Sequence, residues 1–517
     1  MGERQWHTRI VLVLIACGVA VRLLQIISAQ GLLIDDAYIT LRYARNLMLG
    51  RGMVYNPGEP ILGAPPLYVL LTGLLWKLDQ LLLGPAGERI GYLVTAFNLA
   101  LMVAVAGMLG RHLRDRLGQL GLLPVLLYAL YLPFTDNTTA GMETTLLLFL
   151  LVASLPLLAR GRLVAASIVM GLSVLVRPEG LLWIAAVIVT RRRRGEGNWG
   201  RLLGPLVAIG LAWGVFAWLY FGTPVPHNAA AKSGWNVSLW GREGLLPYVW
   251  ALFRQQTLLP RGVAATSSLW LDLLVAAEAL VVAGLLAVGL RRLWRRRSLD
   301  LVWGLFFLAH LLFFIAGRGA LEPSWYNIPP GLSVIIVASY GLAALLPWRW
   351  CEWPAARRAA LGRVILLGAL ALVVAAGSLR AWVRIRGKYY GQMETGYGRT
   401  GRFLAREAVG KRSLVNEIGY IGYLADHYIY DMAGIVTDEI LAMRKANPAD
   451  IDVPELAEHF APDFIVVTRG RRRADLVEAM DAGRGPRYRL VLSAPPCYTF
   501  ERSGSEDAND SRVLLGD

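Results

Sequence analysis

Residues 163–194 read LVAASIVMGLSVLV (163–176), then Arg177-Pro178-Glu179, then GLLWIAAVIVT (180–190) and four arginines, Arg191 to Arg194. Arg160 and Arg162 precede the stretch, so both of its ends are basic. Short cytoplasmic connectors of membrane proteins collect Lys and Arg. A single continuous span would carry one of the two clusters to the wrong side. The Arg177-Pro178-Glu179-Gly180 break removes the conflict if the stretch is a hairpin of two short helices. Such helices fall below the roughly 20 residues needed to cross lipid alone, and are tolerated where protein surrounds them.

The rest of the chain fits the same scheme. Of 517 residues, 56% are hydrophobic and 17% charged, against about a quarter charged in soluble domains. Apolar runs long enough to cross, or nearly so, occupy 10–29, 90–109, 120–134, 144–159, 163–176, 180–190, 202–221, 269–290, 301–316, 328–346 and 364–382, which predicts about eleven transmembrane helices. The first reads as a retained signal anchor. Arg4/Arg9, Arg111/Arg114/Arg116, Arg160/Arg162, Arg191–Arg194, Arg291–Arg297 and Arg349 to Arg363 then fall on one face. The expectation is a multi-pass protein of the cell membrane with a cytoplasmic N-terminus. The net charge of +16 is explained by these connectors, which removes the case for a nucleic-acid partner. Counting 65–83 as a further span would send every later arginine outward, so it is read as a juxtamembrane or re-entrant helix in the first external loop.

After residue 383 charge rises and strand-like and helix-like segments alternate. The expected organisation is a mainly α membrane module over 1–383, an extracytoplasmic α/β domain over 384–502 and a disordered tail over 503–517. Strands are expected at 415–418, 428–430, 464–468 and 488–493, and helices at 399–409, 438–446 and 473–482. Gly419-Tyr420-Ile421-Gly422 lacks the spacing of a nucleotide-binding loop. The three cysteines, Cys17, Cys351 and Cys497, show no metal-ligand spacing and suggest no disulfide.

Asp35 and Asp36 follow the first apolar run directly. Paired carboxylates at a membrane boundary are functional candidates by default, although one of them could simply cap the amphipathic segment 37–49, which carries Tyr38 and Arg42. Glu143 reads either as a first-turn acid or as a second active-site acid. Arg177 and Glu179 read either as a mutual ion pair or as site residues. His227, Asn228 and Lys232 follow a span and could bind phosphate, while Trp325 and Tyr326 read first as aromatic-belt anchors. Zinc-protease, nucleophile-elbow and P-loop motifs are absent from the sequence. External carboxylates with nearby cations suit transfer of a phosphate-activated group, a carboxylate taking the acceptor's proton and cations holding the departing phosphate.

The segments Leu33-Ile34-Asp35-Asp36-Ala37-Tyr38, Gly141-Met142-Glu143-Thr144, Arg177-Pro178-Glu179-Gly180 and Pro226 to Lys232 resemble GT-C fold glycosyltransferases, above all the mycobacterial-type terminal arabinofuranosyltransferases, over roughly the first 240 residues. The resemblance implies an inverting transferase that moves a sugar, arabinofuranose in those relatives, from a polyprenyl monophosphate to a glycan or lipid acceptor of the cell envelope on the external face. It implies Asp35 or Asp36 as general base, Asp35 by the order of the acids, with Glu143 as a further catalytic acid. Arg177, His227, Asn228 and Lys232 become donor-phosphate ligands, and Tyr38, Arg42, Trp325 and Tyr326 acceptor- or donor-binding residues. No cofactor is required by the sequence. Some members of the family use a divalent metal, and no complete ligand set is recognisable here. Where the relatives carry His-Pro-Pro-Leu and Pro-Asn-Thr, this chain has Ala64-Pro65-Pro66-Leu67 and Pro226-His227-Asn228. A transporter or flippase of a sugar or lipid-linked sugar is the competing reading, which expects symmetric halves and midplane charges.

Overall fold

The break at Arg177 does divide its stretch into two helices, Leu163–Val176 and Gly180–Arg194. Arg177 itself is extended (φ −157°, ψ 141°), as the residue before a proline is driven out of the helical region. A Cβ on Gly180 would lie 2.5 Å from Ser173 Oγ, so the tight return admits no side chain there. At the far end Gly195 takes φ +74° behind four arginines, a helix stop reinforced by positive charge at the C-terminal end. The structure, a computed structural model, describes residues 3–84, 89–227, 269–316, 324–346, 357–446, 452–468, 470–481, 487–503 and 514–515.

Helices cover the other expected spans: Glu3–Ser28, Ile90–Leu117, Leu122–Leu130, Thr144–Ala159, Trp199–Phe221, Leu269–Arg295, Leu301–Ala316, Ile328–Leu345 and Arg357–Gln392. Among the described residues, four runs are long and apolar enough to cross a bilayer: Gln5–Ser28, Ile90–Leu130, Trp199–Phe221 and Trp325–Leu345. Leu132–Thr139 with Thr144–Ala159, bent by 113°, makes a fifth if the pair is one span. The Ile90–Leu130 run turns back at Gly118–Gly121, because a Cβ on Gly121 would lie 2.8 Å from the Leu113 main chain, far closer than eight residues of straight helix allow. One expectation shifts here: the stretch 135–142, expected as a loop, is half helix, since Leu132–Thr139 continues through it behind Pro133.

Basic connectors meet at one end of this bundle. Arg194 Nη1 donates to the Arg297 carbonyl at 2.9 Å. The fully buried Asp300 receives His112 at 2.6 Å and Arg116 at 2.8 Å. Three arginine-bearing connectors distant in sequence thus converge. Nearby, Leu269–Arg295 crosses Ile328–Leu345 almost backbone to backbone: a Cβ on Gly341 would lie 2.0 Å from the Leu285 carbonyl oxygen and one on Gly289 2.2 Å from that of Val337. Small residues permit such approaches between apolar helices. Gly341→Ala is expected to destabilise by about 1–3 kcal/mol through overpacking, read as a lower thermal midpoint in detergent. Gly284→Ala, whose methyl group meets nothing within 4 Å, should leave that midpoint in place.

By internal contacts the chain forms two units, Met1–Gly31 with Tyr92–Ala212 and Ser233–Ile385, and Leu32–Gly91 with Trp213–Lys232 and Arg386–Asp517. Residues 32–91 thus group by contacts with residues 386–517. In the second unit the helix Asp35–Met48 packs on Pro66–Leu83, the helix expected at 65–83. The sheet holds β1 (Arg412–Val415), β2 (Tyr428–Asp431), β3 (Phe464–Val467), β4 (Tyr488–Ala494), β5 (Cys497–Arg502) and β6 (Leu514–Leu515) in the order β2-β1-β3-β5-β4-β6. β2, β1 and β3 are parallel and β5 pairs antiparallel to β3 and β4. The first strand lies three residues earlier than expected, and β5 and the short helices Tyr420–Ala425 and Val453–Phe460 add to the expected elements. The disordered tail expected over 503–517 is corrected at Leu514–Leu515, which pair in parallel with β4. Cys17 and Cys497 are free thiols, the latter buried in the domain core.

Candidate functional site

The Asp35–Met48 helix begins behind Ile34, which makes no side-chain cap, so Asp35 and Asp36 both lie in its first turn. Asp35 is buried and Asp36 half-buried. The Asp35 carboxylate reaches 384 residues along the chain: Oδ2 accepts the Gly419 N–H at 2.9 Å and Oδ1 the Tyr420 N–H at 2.8 Å. Its own N–H donates to the Tyr389 hydroxyl at 3.0 Å. The capping alternative is thus answered in an unexpected way, for this acid receives the first N–H groups of the helix Tyr420–Ala425 instead of its own.

Burial pushes the Asp35 carboxyl up to about 7, Asp36 and Asp431 adding to the rise and the two N–H groups opposing it. Tyr55, Tyr389, Tyr397 and Cys497 also face it electrostatically. Asp431, at the end of β2, is buried as well and raised to about 6, against the N–H groups of Ala433, Ile435 and Val436. A carboxylate raised towards neutrality by enclosure has the character of a general base.

Tyr38 and Arg42, expected at a sugar, lie inside this unit. The Tyr38 ring packs on Tyr420 with centroids 4.6 Å apart, and its hydroxyl accepts the Leu33 N–H at 3.3 Å. Arg42, with no exposed surface, donates to the carbonyls of Tyr55 (2.9 Å), Gly422 (2.7 Å) and His427 (2.6 Å) and sits over the Tyr55 ring. Their polar groups are engaged by main chain. His227 is held by its main chain to the Leu62 carbonyl at 2.7 Å, and its Nδ1 lies 3.1 Å from Asp438. Burial lowers its imidazole below the usual range, although Asp438 pulls the other way. Asn228 and Lys232 lie outside the described residues.

The first unit assembles a second cluster from three connectors that are separate in sequence. Arg177 lies between Glu179 at 2.6 Å and Glu143 at 3.7 Å, donates to Thr144 Oγ1 at 3.1 Å, and has its guanidinium 4.3 Å from the Tyr326 ring centroid. Arg177, Glu143 and Glu179 are each less than a tenth exposed. The ion-pair reading of Arg177 is the observed one, and its charge is already balanced by two acids. Trp325 stands beside Tyr326 at the same helical turn. Among the described residues no three His, Cys, Asp or Glu side chains form a group that could hold a metal.

Sequence reading missed Tyr389, Gly419 and Tyr420. The Gly-Tyr-Ile-Gly spacing was its one visible signal, and it serves contact with another part of the chain instead of a nucleotide.

A family profile described as "Domain of unknown function (DUF8728)" matches residues 383–511. The terminal beta-(1->2)-arabinofuranosyltransferase of Mycobacterium tuberculosis is 31% identical over 228 residues, 38% of this chain and 34% of that protein. The enzyme of the same name from Corynebacterium glutamicum is 30% identical over 248 residues, 40% of this chain and 34% of its own length. The chain thus spans about a third of the length of the curated relatives it matches. The crystal structure of ArnT from Cupriavidus metallidurans bound to undecaprenyl phosphate aligns with a TM-score of 0.54 at 16% identity, covering 96% of this chain and 99% of that one. The fold is therefore of the GT-C type that the resemblance implied.

Proposed function

We propose that this chain is a membrane glycosyltransferase that moves a sugar, arabinofuranose by its likeness to the two arabinofuranosyltransferases, from a polyprenyl monophosphate to a glycan or lipid acceptor on the external face, with inversion. One observation carries the reading: the first-loop acid Asp35 is enclosed, oriented by two N–H donors and raised to about 7. Similarity to arabinofuranosyltransferases and a fold shared with an undecaprenyl-phosphate-bound protein support it. The topology that goes with it has about eleven crossings, a cytoplasmic N-terminus and the 384–502 domain outside.

In this mechanism Asp35 takes the proton of an acceptor hydroxyl as its oxygen attacks the anomeric carbon from the face opposite the phosphate. Each carboxylate oxygen still has a second lone-pair direction beside the one that holds an N–H. The bond to the phosphate oxygen breaks and the polyprenyl phosphate leaves with its electron pair. His227, Asn228 and Lys232 stabilise the departing phosphate. Arg177 keeps Glu143 and Glu179 in place and is not assigned to the phosphate.

The test is transfer by the purified chain from polyprenyl-phosphoryl arabinofuranose to an arabinan oligosaccharide. A base must be deprotonated, so kcat should rise with pH through about 7, and fall about tenfold per unit below it. A flat profile between pH 5 and 8 would remove Asp35 from the proton transfer.

A further inference from the structure

The turn after β1 occupies a particular place in the sheet. β2 and β3 flank β1 on opposite sides, both parallel to it, so the C-terminal end of β1 is the switch point where open α/β sheets take their ligands. Here that crevice receives a carboxylate of the same chain. Two glycines make the approach possible. A Cβ on Gly419 would lie 1.8 Å from the Asp35 carbonyl oxygen and 2.6 Å from its Oδ2, and one on Gly422 would lie 1.9 Å from the Tyr55 hydroxyl. Gly419 has φ −68°, so proximity and not backbone freedom requires it. The Asp35–Met48 helix grips the turn along its length: Arg42 holds the Gly422 and His427 carbonyls, and Arg45 donates to the Tyr423 carbonyl at 2.7 Å and to Asp426 at 2.6 Å. Tyr55 donates to the Ile418 carbonyl at 2.7 Å.

We propose that residues 419–422 of the C-terminal domain are a positioning element of the catalytic loop, the Gly419 and Tyr420 N–H groups fixing the Asp35 carboxylate in the orientation from which it takes the acceptor's proton. This rests on the glycosyltransferase reading for what the held carboxylate does, and on geometry alone for the holding. It gives a role to a segment inside the 383–511 domain of unknown function. A fixed carboxylate loses little on reaching the reactive geometry, whereas a displacement of about 1 Å can cost about 100-fold in rate.

Hydrogen exchange on the full chain in detergent tests the holding. Asp35→Ala should speed exchange of the Gly419 and Tyr420 amides about tenfold or more, as expected when bonds to a charged group are lost. Gly391→Ala, whose methyl group meets nothing within 4 Å, should leave them protected. Kinetics with polyprenyl-phosphoryl arabinofuranose and an arabinan oligosaccharide test the consequence. Gly419→Ala should lower kcat about 100-fold while the donor KM stays within about twofold. Gly422→Ala should show the same loss, and Gly422→Ala with Tyr55→Phe should recover part of the activity, since the hydroxyl 1.9 Å from the methyl group is gone while Arg42 Nη1 and the ring Cζ stay at 3.1 Å. Should Gly419→Ala not fold, the Gly422/Tyr55 pair and the exchange experiment decide. Unchanged exchange in Asp35→Ala, or wild-type kcat in Gly419→Ala beside an inactive Asp35→Asn, overturns the positioning role. Full activity in both Asp35→Asn and Asp36→Asn overturns the glycosyltransferase reading instead, and leaves the exchange result standing.

Discussion

Asp35→Asn should reduce kcat by about 10²–10⁴-fold, the usual contribution of a positioned general base, with a smaller effect on donor KM. Two causes act together. The amide cannot take the proton, and it also cannot face both donors: of its two termini only one accepts, so either Gly419 N–H or Tyr420 N–H is left opposite an NH₂ group. Leaving a buried donor unmatched costs about 1–3 kcal/mol, so a lower thermal midpoint should accompany the loss of rate. Asp36 is half-buried, and Asp36→Asn should cost less than about tenfold, equivalent to 1.4 kcal/mol of barrier. Single-turnover rates for the two variants separate them. A larger loss in Asp36→Asn than in Asp35→Asn would transfer the base role to the neighbour.

Arg177→Ala should destabilise the first unit by about 3–5 kcal/mol, the range for removing one partner of a buried ion pair. Arg177 and both of its acids are buried, so water cannot replace the lost partner, and the Tyr326 ring over the guanidinium loses its cation as well. Arg177→Lys should recover only part of the loss, because an ammonium cannot serve Glu179, Thr144 and the ring in the planar arrangement of the guanidinium. Arg177→Met with Glu179→Met should be more stable than Arg177→Ala, since one unpaired charge disappears with its partner. Thermal midpoints of the purified variants in one detergent decide it. Equal midpoints for the wild type and Arg177→Ala would show that the pair contributes nothing to stability.

Residues 163–194 show how far sequence reading carried. Apolar length, a proline and the sign of flanking charge are local properties, and the solvent in which a membrane chain folds acts on them directly. The hairpin, most of the expected helices and the change of composition near residue 383 follow from those properties. The connectors bearing Arg116, Arg194 and Asp300 converge in the fold. The strand Cys497–Arg502 and the pairing of Leu514–Leu515 escaped it, because a short strand is stabilised by its neighbours in the sheet and not by its own residues.

The acids were equally visible: Asp35, Asp36, Glu143 and Glu179 stand out in sequence as carboxylates beside apolar runs. Their partners were not. Whether a carboxylate is a cap, an ion-pair partner or a base depends on what approaches its two oxygens and on how much water is excluded. For Asp35 the approaching groups lie 384 and 385 residues away. Sequence alone determined that Asp35 follows the first apolar run of a membrane-crossing chain. Only the tertiary structure decided that a glycine turn closes over it, because backbone N–H groups carry no residue identity and the burial that raises its carboxyl towards 7 is created by the fold.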